Sequence, residues 1–257
     1  MLIDTHTHLF LDNFDHDIDE VVARALSKGV GMMLLPHIDK ETTQRMLNLA
    51  FRFPGICLPM MGLHPGSVKE NYQEELDWVN SHLKSQKFIA LGEIGMDLYW
   101  DKTFQKEQEI VFQKHLEWAL EYKLPLVIHS RNAEKELLDI LNRFPASTFR
   151  GVFHSFTGSL ELAMEAIRLG FFIGIGGILT FKNSGLERMA QGIKPENILI
   201  ETDSPFLAPV PFRGKRNESS YLPYIAEKIA EFHNLSIDEV VTITTTNAIS
   251  LFDLKTS

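Results

Sequence analysis

The first eight residues, Met1-Leu2-Ile3-Asp4-Thr5-His6-Thr7-His8, determine how the rest of the chain is interpreted. An apolar start that runs into alternating polar residues predicts a β-strand, whose side chains alternate between two faces. His6 and His8 then point to the same side, with Asp4 one step deeper on that side. Two imidazoles held side by side are either ligands for one divalent metal ion or two ordinary histidines near a terminus, and this stretch alone leaves both interpretations open.

Composition restricts the class of protein. The 257 residues include one cysteine, Cys57, which lies in an apolar run, so no intrachain disulfide can form and a reducing compartment is expected. The sequence shows neither a secretory signal nor an apolar run of the roughly 18 residues that span a membrane. We therefore expect a cytoplasmic protein with a single domain over residues 1–257, no membrane association and no obligate protein partner.

The formal net charge of −9 disfavours a protein that coats nucleic acid, because such binding depends on neutralising many phosphates with lysine and arginine. An enzyme that grips only one or two phosphates at a metal site remains open, since bound cations then dominate the local charge. Acidity is therefore compatible with a metallonuclease.

Eight short apolar segments alternate with longer amphipathic ones. The apolar segments span residues 2–6, 31–35, 56–63, 88–93, 126–129, 151–154, 171–175 and 198–202. Continuous apolar character is typical of strands buried on both faces of a parallel sheet. Helical patterns span residues 18–28, 74–84, 104–122, 134–143, 160–169, 186–191, 221–234 and 237–251. This alternation predicts an α/β fold, a (β/α)8 TIM barrel, with a doubly wound open sheet as the alternative.

Histidines cluster at one end of the predicted barrel. Active-site residues of such barrels gather where the strands end, because the loops that follow the strands converge there. Six of the ten histidines end or follow a predicted strand, namely His6, His8, His37, His64, His129 and His154. His115 instead lies on an apolar helical stripe with Val111, Phe112, Leu116 and Ala119, which predicts a packed core residue. His16, His82 and His233 are expected at the surface.

Carboxylates follow the same pattern. Glu93 and Asp203 each close an apolar segment, where an unpaired buried charge would be costly. They are either ligands of a metal or members of a buried ion pair with Arg131 or a lysine, and the convergence of carboxylates with imidazoles favours divalent metal ions. Glu201, which shares a strand face with Asp203, and Asp97, just past Glu93, are predicted to orient the ligands.

Six stretches of the chain carry a resemblance to a known family. They are Asp4-Thr5-His6-Thr7-His8, Gly62-Leu63-His64-Pro65, Gly92-Glu93-Ile94-Gly95-Met96-Asp97, Ile128-His129-Ser130-Arg131, His154-Ser155-Phe156-Thr157-Gly158 and Glu201-Thr202-Asp203-Ser204-Pro205. In this order the chain resembles the TatD family of metal-dependent deoxyribonucleases, within the amidohydrolase superfamily. The resemblance implies a barrel with two metal ions. His6, His8, Glu93 and Asp203 would hold one ion, and Glu93 would bridge to a second, completed by His129 and His154.

The chain departs from the family pattern at three places. Met96 stands where leucine is common and is expected to be neutral, and Ser155 varies the middle of a motif that keeps its histidine. Members commonly carry Arg-Asn-Glu-Pro after the last strand, whereas this chain has Arg216-Asn217-Glu218-Ser219, which makes phosphate or loop contacts there less secure. Lys182, Arg213, Lys215 and Arg216 lie in the loops after strands seven and eight. These four residues either guide a DNA strand or are ordinary surface charges. For Lys215 and Arg216 we favour ordinary surface charge.

The hypothesis from the sequence is phosphodiester hydrolysis with two divalent cations, magnesium, manganese or zinc, that activate a water and stabilise the leaving oxygen. Asp203 would be the general base, Glu93 the shared catalytic carboxylate, and Arg131 a phosphate clamp. His64 either contacts substrate or is a turn residue before Pro65. The resemblance implies DNA as substrate, trimmed from a 3′ end in single strands. A small-molecule hydrolase of esters, amides or phosphoesters is the first alternative, and a non-catalytic metal-binding protein is the second.

Overall fold

The computed structural model describes residues 1–255. Within them, parallel strands alternate with helices. The strands are β1 Leu2–Asp4, β2 Val30–Leu35, β3 Cys57–Pro59, β4 Leu91–Asp97, β5 Leu126–Arg131, β6 Gly151–Phe153, β7 Phe171–Ile175 and β8 Ile198–Ile200. The helices are α1 Ile18–Ser27, α2 Thr43–Arg52, α3 Tyr72–Ser85, α4 Gln105–Tyr122, α5 Glu134–Leu141, α6 Leu160–Arg168, α7 Glu187–Gly192, α8 Leu222–His233 and α9 Ile237–Phe252. None of the described helices is both long enough and apolar enough to cross a membrane.

The strands close into a barrel through two seams. Continuous pairing runs in the order β1-β2-β3 and in the order β4-β5-β6-β7-β8. Single bridges join the two sets, Thr7 with Ser204 at the seam between β1 and β8, and Met61 with Leu91 at the seam between β3 and β4. The architecture is therefore the predicted (β/α)8 barrel, and the open doubly wound sheet is excluded because β8 returns to β1.

The core has an inner and an outer part. The inner cluster takes buried side chains from five strands, β1, β2, β5, β6 and β8, and from the residues next to β3 and β4, and is covered by residues of α9, as expected for a filled barrel interior. Its buried members are Ile3, Met32, Leu34, Met60, Ala90, Val127, Val152, Leu199, Ala248, Leu251, Phe252 and Leu254, with Phe172 of β7 packed against them. The larger outer cluster lies between strands and helices and includes Val111, Phe112 and Leu116 of α4, and His115 on the same helix is fully buried as predicted.

Several elements differ from the sequence-based expectations. β1 ends at Asp4 and β3 at Pro59, earlier than the predicted residues 6 and 63. β4 does not end at Glu93 as predicted but continues to Asp97, because Gly95 pairs with His129 and Asp97 with Arg131 on β5. Gly95 has φ 133°, and a Cβ there would lie 2.1 Å from the His129 carbonyl oxygen, so the close approach of the two strands requires glycine. Helix α2 was not predicted, although its buried Thr43, Met46 and Leu49 recur every three residues.

Candidate metal centre

The segment after β1 presents two imidazoles to the open end of the barrel. Asp4 anchors it, since its carboxylate accepts hydrogen bonds from Thr202 N at 2.9 Å and from Thr202 Oγ1 at 2.6 Å. His6 and His8 follow two and four residues later, and their Nε2 atoms lie 3.3 Å apart. The anchor fixes the exit of β1 against the exit of β8, and thereby places these imidazoles beside Asp203.

The first group of polar atoms surrounds one oxygen of Glu93. Glu93 Oε2 lies 3.1 Å from His6 Nε2 and 3.4 Å from His8 Nε2. Asp203 Oδ1 lies 3.8 Å from His6 Nε2 and 3.5 Å from His8 Nε2. Atoms bound to one divalent cation at about 2.0–2.3 Å lie roughly 3–3.7 Å apart, so this spacing fits a shared ion.

The second group surrounds the other oxygen of the same carboxylate. Glu93 Oε1 lies 2.7 Å from His154 Nε2, 2.8 Å from His129 Nδ1 and 3.4 Å from His64 Nε2. His129 Nδ1 and His154 Nε2 are 3.3 Å apart. Each oxygen of Glu93 therefore has its own set of imidazoles, and the donor set fits two cations that share one carboxylate.

The charge state of the carboxylates suits metal binding. Burial by itself would raise the pKa of Glu93, but the surrounding imidazoles, above all His154, His6 and His64, hold it well below its ordinary value. Burial likewise opposes ionisation of Asp203, and the hydrogen bond from His8 lowers its pKa. Both side chains are therefore ionised, the form in which a carboxylate binds a cation.

Two further carboxylates contact the outer nitrogens of these imidazoles. Asp97 Oδ2 lies 3.1 Å from His129 Nε2. Glu201 Oε1 lies 3.4 Å from His154 Nδ1 and also accepts a hydrogen bond from the Ser155 backbone N–H. A hydrogen bond such as that between Asp97 and His129 fixes the orientation of an imidazole and selects its tautomer, whereas His154 Nδ1 lies at ion-pair distance from Glu201 without hydrogen-bond geometry. The positions of Asp97 and Glu201 suit the orienting role that the sequence predicts for them.

The predicted substrate contacts lie at the edge of the centre. His64 is half-buried, and its Nδ1 accepts a hydrogen bond from Gly66 N at 2.9 Å, so the proton of the neutral ring lies on Nε2, facing the centre. Arg131 is exposed, with its guanidinium 4.2 Å from the ring centre of Tyr99. Within residues 1–255, no arginine or lysine lies within ion-pair distance of Glu93 or Asp203, so the ion-pair alternative is excluded there.

Two residues that the sequence grouped with the rim have structural roles. His37 lies outside the centre, because its Nδ1 contacts the Gly62 carbonyl and its Nε2 contacts Thr43 Oγ1 at 2.8 Å, while burial lowers its pKa to about 4. Arg216 pairs with Asp17 through two hydrogen bonds of 2.8 and 2.6 Å. Its guanidinium is therefore neutralised within the chain, and a role in guiding DNA is not supported.

Sequence reasoning missed the support beneath Asp203. Asp203 has φ 58°, a left-handed conformation that is uncommon for residues other than glycine. The fully buried Asn217 amide donates to the carbonyls of Thr202 and Phe206, each at 2.7 Å, and so holds both sides of this turn. The Arg216-Asn217-Glu218 stretch was the available signal, and Asn217 acts within the protein rather than on a phosphate.

Comparisons with known proteins show the family of the chain. The sequence model of the family described as TatD related DNase matches residues 3–253. An uncharacterized metal-dependent hydrolase of Bacillus subtilis, YabD, is 38% identical over 99% of this chain and 100% of its own. The 3′-5′ ssDNA/RNA exonuclease TatD of Salmonella typhimurium is 33% identical over 98% of this chain and 99% of its own. The crystal structure of YjjV, a TatD homolog from Escherichia coli, superposes with a TM-score of 0.92 at 30% identity, covering 99% of this chain and 98% of that one. The chain therefore belongs to the TatD family of metal-dependent hydrolases, on the amidohydrolase barrel fold.

Proposed function

We propose that this protein is a nuclease that hydrolyses DNA phosphodiester bonds with two divalent cations, working from the 3′ end of single strands. The observation that carries the proposal is that the two oxygens of the Glu93 carboxylate contact different histidines. His6 Nε2 lies 3.1 Å from Oε2, and His154 Nε2 lies 2.7 Å from Oε1. His6, His8, Glu93 and Asp203 would hold one cation, and Glu93, His129 and His154 the other. Bound there, the cations would supply Lewis acidity for an attacking water and for the leaving oxygen.

The protein side chains around this centre divide the remaining work. Asp203 is ionised and 13% exposed, so it is open to an incoming water and would accept its proton as general base. His64 carries its proton on Nε2, facing Glu93, which suits donation to a phosphate oxygen more than metal ligation. Arg131 is exposed beside His129, with N–H groups available to hold a phosphate.

The choice of DNA over a small molecule is supported by the relatives. One of them, 33% identical over nearly the whole chain, is named for single-stranded DNA and RNA exonuclease activity. The other, from Bacillus subtilis, is named only as a metal-dependent hydrolase. We further propose one barrel domain acting in the cytoplasm, where the buried free thiol of Cys57 would stay reduced.

The test is digestion of end-labelled single-stranded DNA by metal-stripped protein restored in turn with magnesium, manganese or zinc. We expect a metal-dependent ladder that is lost in Glu93→Ala and Asp203→Ala and kept in Glu117→Ala, which removes an exposed carboxylate on α4. Strands labelled at the 3′ or the 5′ end would reveal the polarity. If the protein binds two cations but cleaves no DNA, the nuclease proposal is wrong and small esters and amides become the substrates to test.

A further inference from the structure

Two large aromatic side chains stand exposed beside the candidate metal centre. Tyr99 and Trp100 follow β4 directly and are 52% and 76% exposed. The same strand end carries Asp97, which contacts the ligand candidate His129, and the Tyr99 backbone N–H donates to Asp97 Oδ1 at 3.0 Å. The two rings therefore belong to the rim of the centre, and leaving an indole in water forgoes the stabilisation that burial would give it.

Arg131 completes this group. Its guanidinium lies 4.2 Å from the ring centre of Tyr99 and 5.2 Å from that of Trp100. The two rings are nearly perpendicular, at 89°, with centres 4.8 Å apart. Arg131 thus occupies the corner between the rings, and within residues 1–255 it forms no ion pair that would explain its position. The stacked guanidinium holds the rings in place while Trp100 remains open to solvent.

We propose that Tyr99, Trp100 and Arg131 form a base-stacking site, which holds a nucleobase of a single-stranded nucleic acid while its phosphate enters the metal centre. Exposed aromatic rings combined with arginine are the usual means of holding unpaired bases without reading their sequence. The inference rests on the proposed nuclease function and specifies how that function takes its substrate. In this site Arg131 would have two roles: its guanidinium packs against the two rings, and its N–H groups bind the phosphate beside the stacked base.

The charge of the chain supports stacking as the source of strand affinity. A protein with a net charge of −9 gains little from counterion release, which supplies most of the non-specific affinity of basic proteins for nucleic acid. Arg216, a cation near the rim, is already paired with Asp17. We therefore expect affinity for the strand to come chiefly from the metal centre and from contacts to the bases, and Trp100, which is more exposed than Tyr99, offers the larger free ring face.

The test measures binding rather than cleavage. Every protein in it is full-length, contains manganese and carries Asp203→Ala, which prevents cleavage so that the strand stays intact. The anisotropy of a fluorescein-labelled oligo-dT would be measured as each protein is added. The proteins are the Asp203→Ala parent and the same parent with Trp100→Ala, Trp100→Phe or Phe51→Ala. Phe51 is the matched control, an 89% exposed aromatic on α2 at a distance from the centre in the fold. We expect affinity to fall about 5- to 150-fold in Trp100→Ala, the range for loss of one stacked base, and to persist in Trp100→Phe and Phe51→Ala. An abasic strand of the same length should bind weakly to every variant.

The outcomes separate this inference from the proposed function. Equal affinity of Trp100→Ala and its parent, in a protein whose wild type cleaves DNA, would overturn the stacking site and leave the nuclease standing. Equal affinity for the abasic and the normal strand would overturn it as well. Binding that depends on Trp100, in a protein whose wild type cleaves no strand, would support the stacking site and remove the nuclease.

Discussion

Replacing Asp97 tests whether the tautomer of His129 is set from outside the metal centre. The Asp97 carboxylate is held on one side by the Tyr99 backbone N–H, 3.0 Å from Oδ1, and faces His129 Nε2 at 3.1 Å with Oδ2. Burial opposes its ionisation, but hydrogen bonds from His129 and the Tyr99 backbone lower the pKa of Asp97 below its ordinary 3.8. An ionised carboxylate accepts a hydrogen bond from the Nε2–H group, which leaves Nδ1 unprotonated and able to bind a cation together with Glu93 Oε1, 2.8 Å away.

Asparagine at position 97 would reverse this arrangement. The Tyr99 N–H requires the amide carbonyl at the Oδ1 position, which leaves the NH2 group facing His129 Nε2. Nε2 would then accept and the ring proton would move to Nδ1, where the cation should bind. Loss of an orienting partner costs about 10- to 100-fold in metal affinity or activity, which corresponds to roughly 1.4–2.7 kcal/mol. We expect the loss of manganese affinity and of activity in Asp97→Ala to fall within this range, and the loss in Asp97→Asn to be at least as large.

Calorimetric titration with manganese, single-turnover cleavage, and ¹⁵N NMR of the imidazoles would measure these effects. The matched control is Asp101→Asn, which changes an exposed aspartate later in the same loop, 4.0 Å from Lys69, and should leave all three readouts unchanged. The reasoning is refuted if Asp97→Asn binds manganese as tightly as the wild type with the His129 proton still on Nε2. It also fails if Asp101→Asn loses as much affinity.

Three further predictions follow from other contacts. Glu93→Gln should bind fewer than two cations by elemental analysis, because it neutralises the carboxylate that both groups share. The control Glu75→Gln, at another buried glutamate, should still bind two. Asp203→Asn should lower kcat about 10²- to 10⁴-fold at saturating metal, the contribution of a general base, as single-turnover rates would show. Glu218→Gln should lower the free energy of unfolding by about 1–2 kcal/mol in urea melts at neutral pH, since Arg24 Nη2 donates to a nearly buried carboxylate at 2.7 Å but is itself 44% exposed. Burial raises the pKa of Glu218, but the hydrogen bond from Arg24 holds that pKa below its ordinary 4.5. The stabilisation is therefore present above about pH 4.5 and is lost as the pH falls through the lower pKa of the folded state.

The fold was predictable because apolar segments of strand length recur with helices between them. The barrel order and the long stripe of α4 both follow from that pattern. Helix α2 was missed because its buried face begins with the polar Thr43 while the apolar Phe51 is exposed, so the apolar residues do not mark the buried face by themselves. The end of β4 was misplaced because Gly95 reads as a strand breaker, whereas the approach of the His129 backbone makes glycine necessary within this strand.

The candidate site was predictable in its membership more than in its detail. Side chains in the last part of parallel strands gather at one rim whatever the intervening sequence, so His154, just past β6, followed from the strand pattern, whereas Glu93 and His129 lie within β4 and β5 rather than at their ends. Hydrogen bonds between distant parts of the chain carry no such signal. The pairing of Arg216 with Asp17 joins residues 199 apart in sequence, and it turned a possible DNA contact into a structural one. The role of Asn217 likewise depends on the turn at Asp203, which no local pattern specifies.

The two seams of the barrel explain why the metal centre lies where it does. At the seam between β1 and β8, a single bridge joins Thr7 to Ser204, and the ligand candidates His6, His8 and Asp203 flank it. At the seam between β3 and β4, Met61 pairs with Leu91, and His64 and Glu93 follow on its two sides. Backbone hydrogen bonds continue the first seam up to the rim, from Asp203 N to the His6 carbonyl at 2.9 Å and from His8 N to the Ser204 carbonyl at 2.7 Å, and so hold the imidazoles and the carboxylate together inside the barrel mouth. Cations bound there would join the strands on both sides of each seam, so the same interactions that bind metal would also strengthen the closure of the barrel.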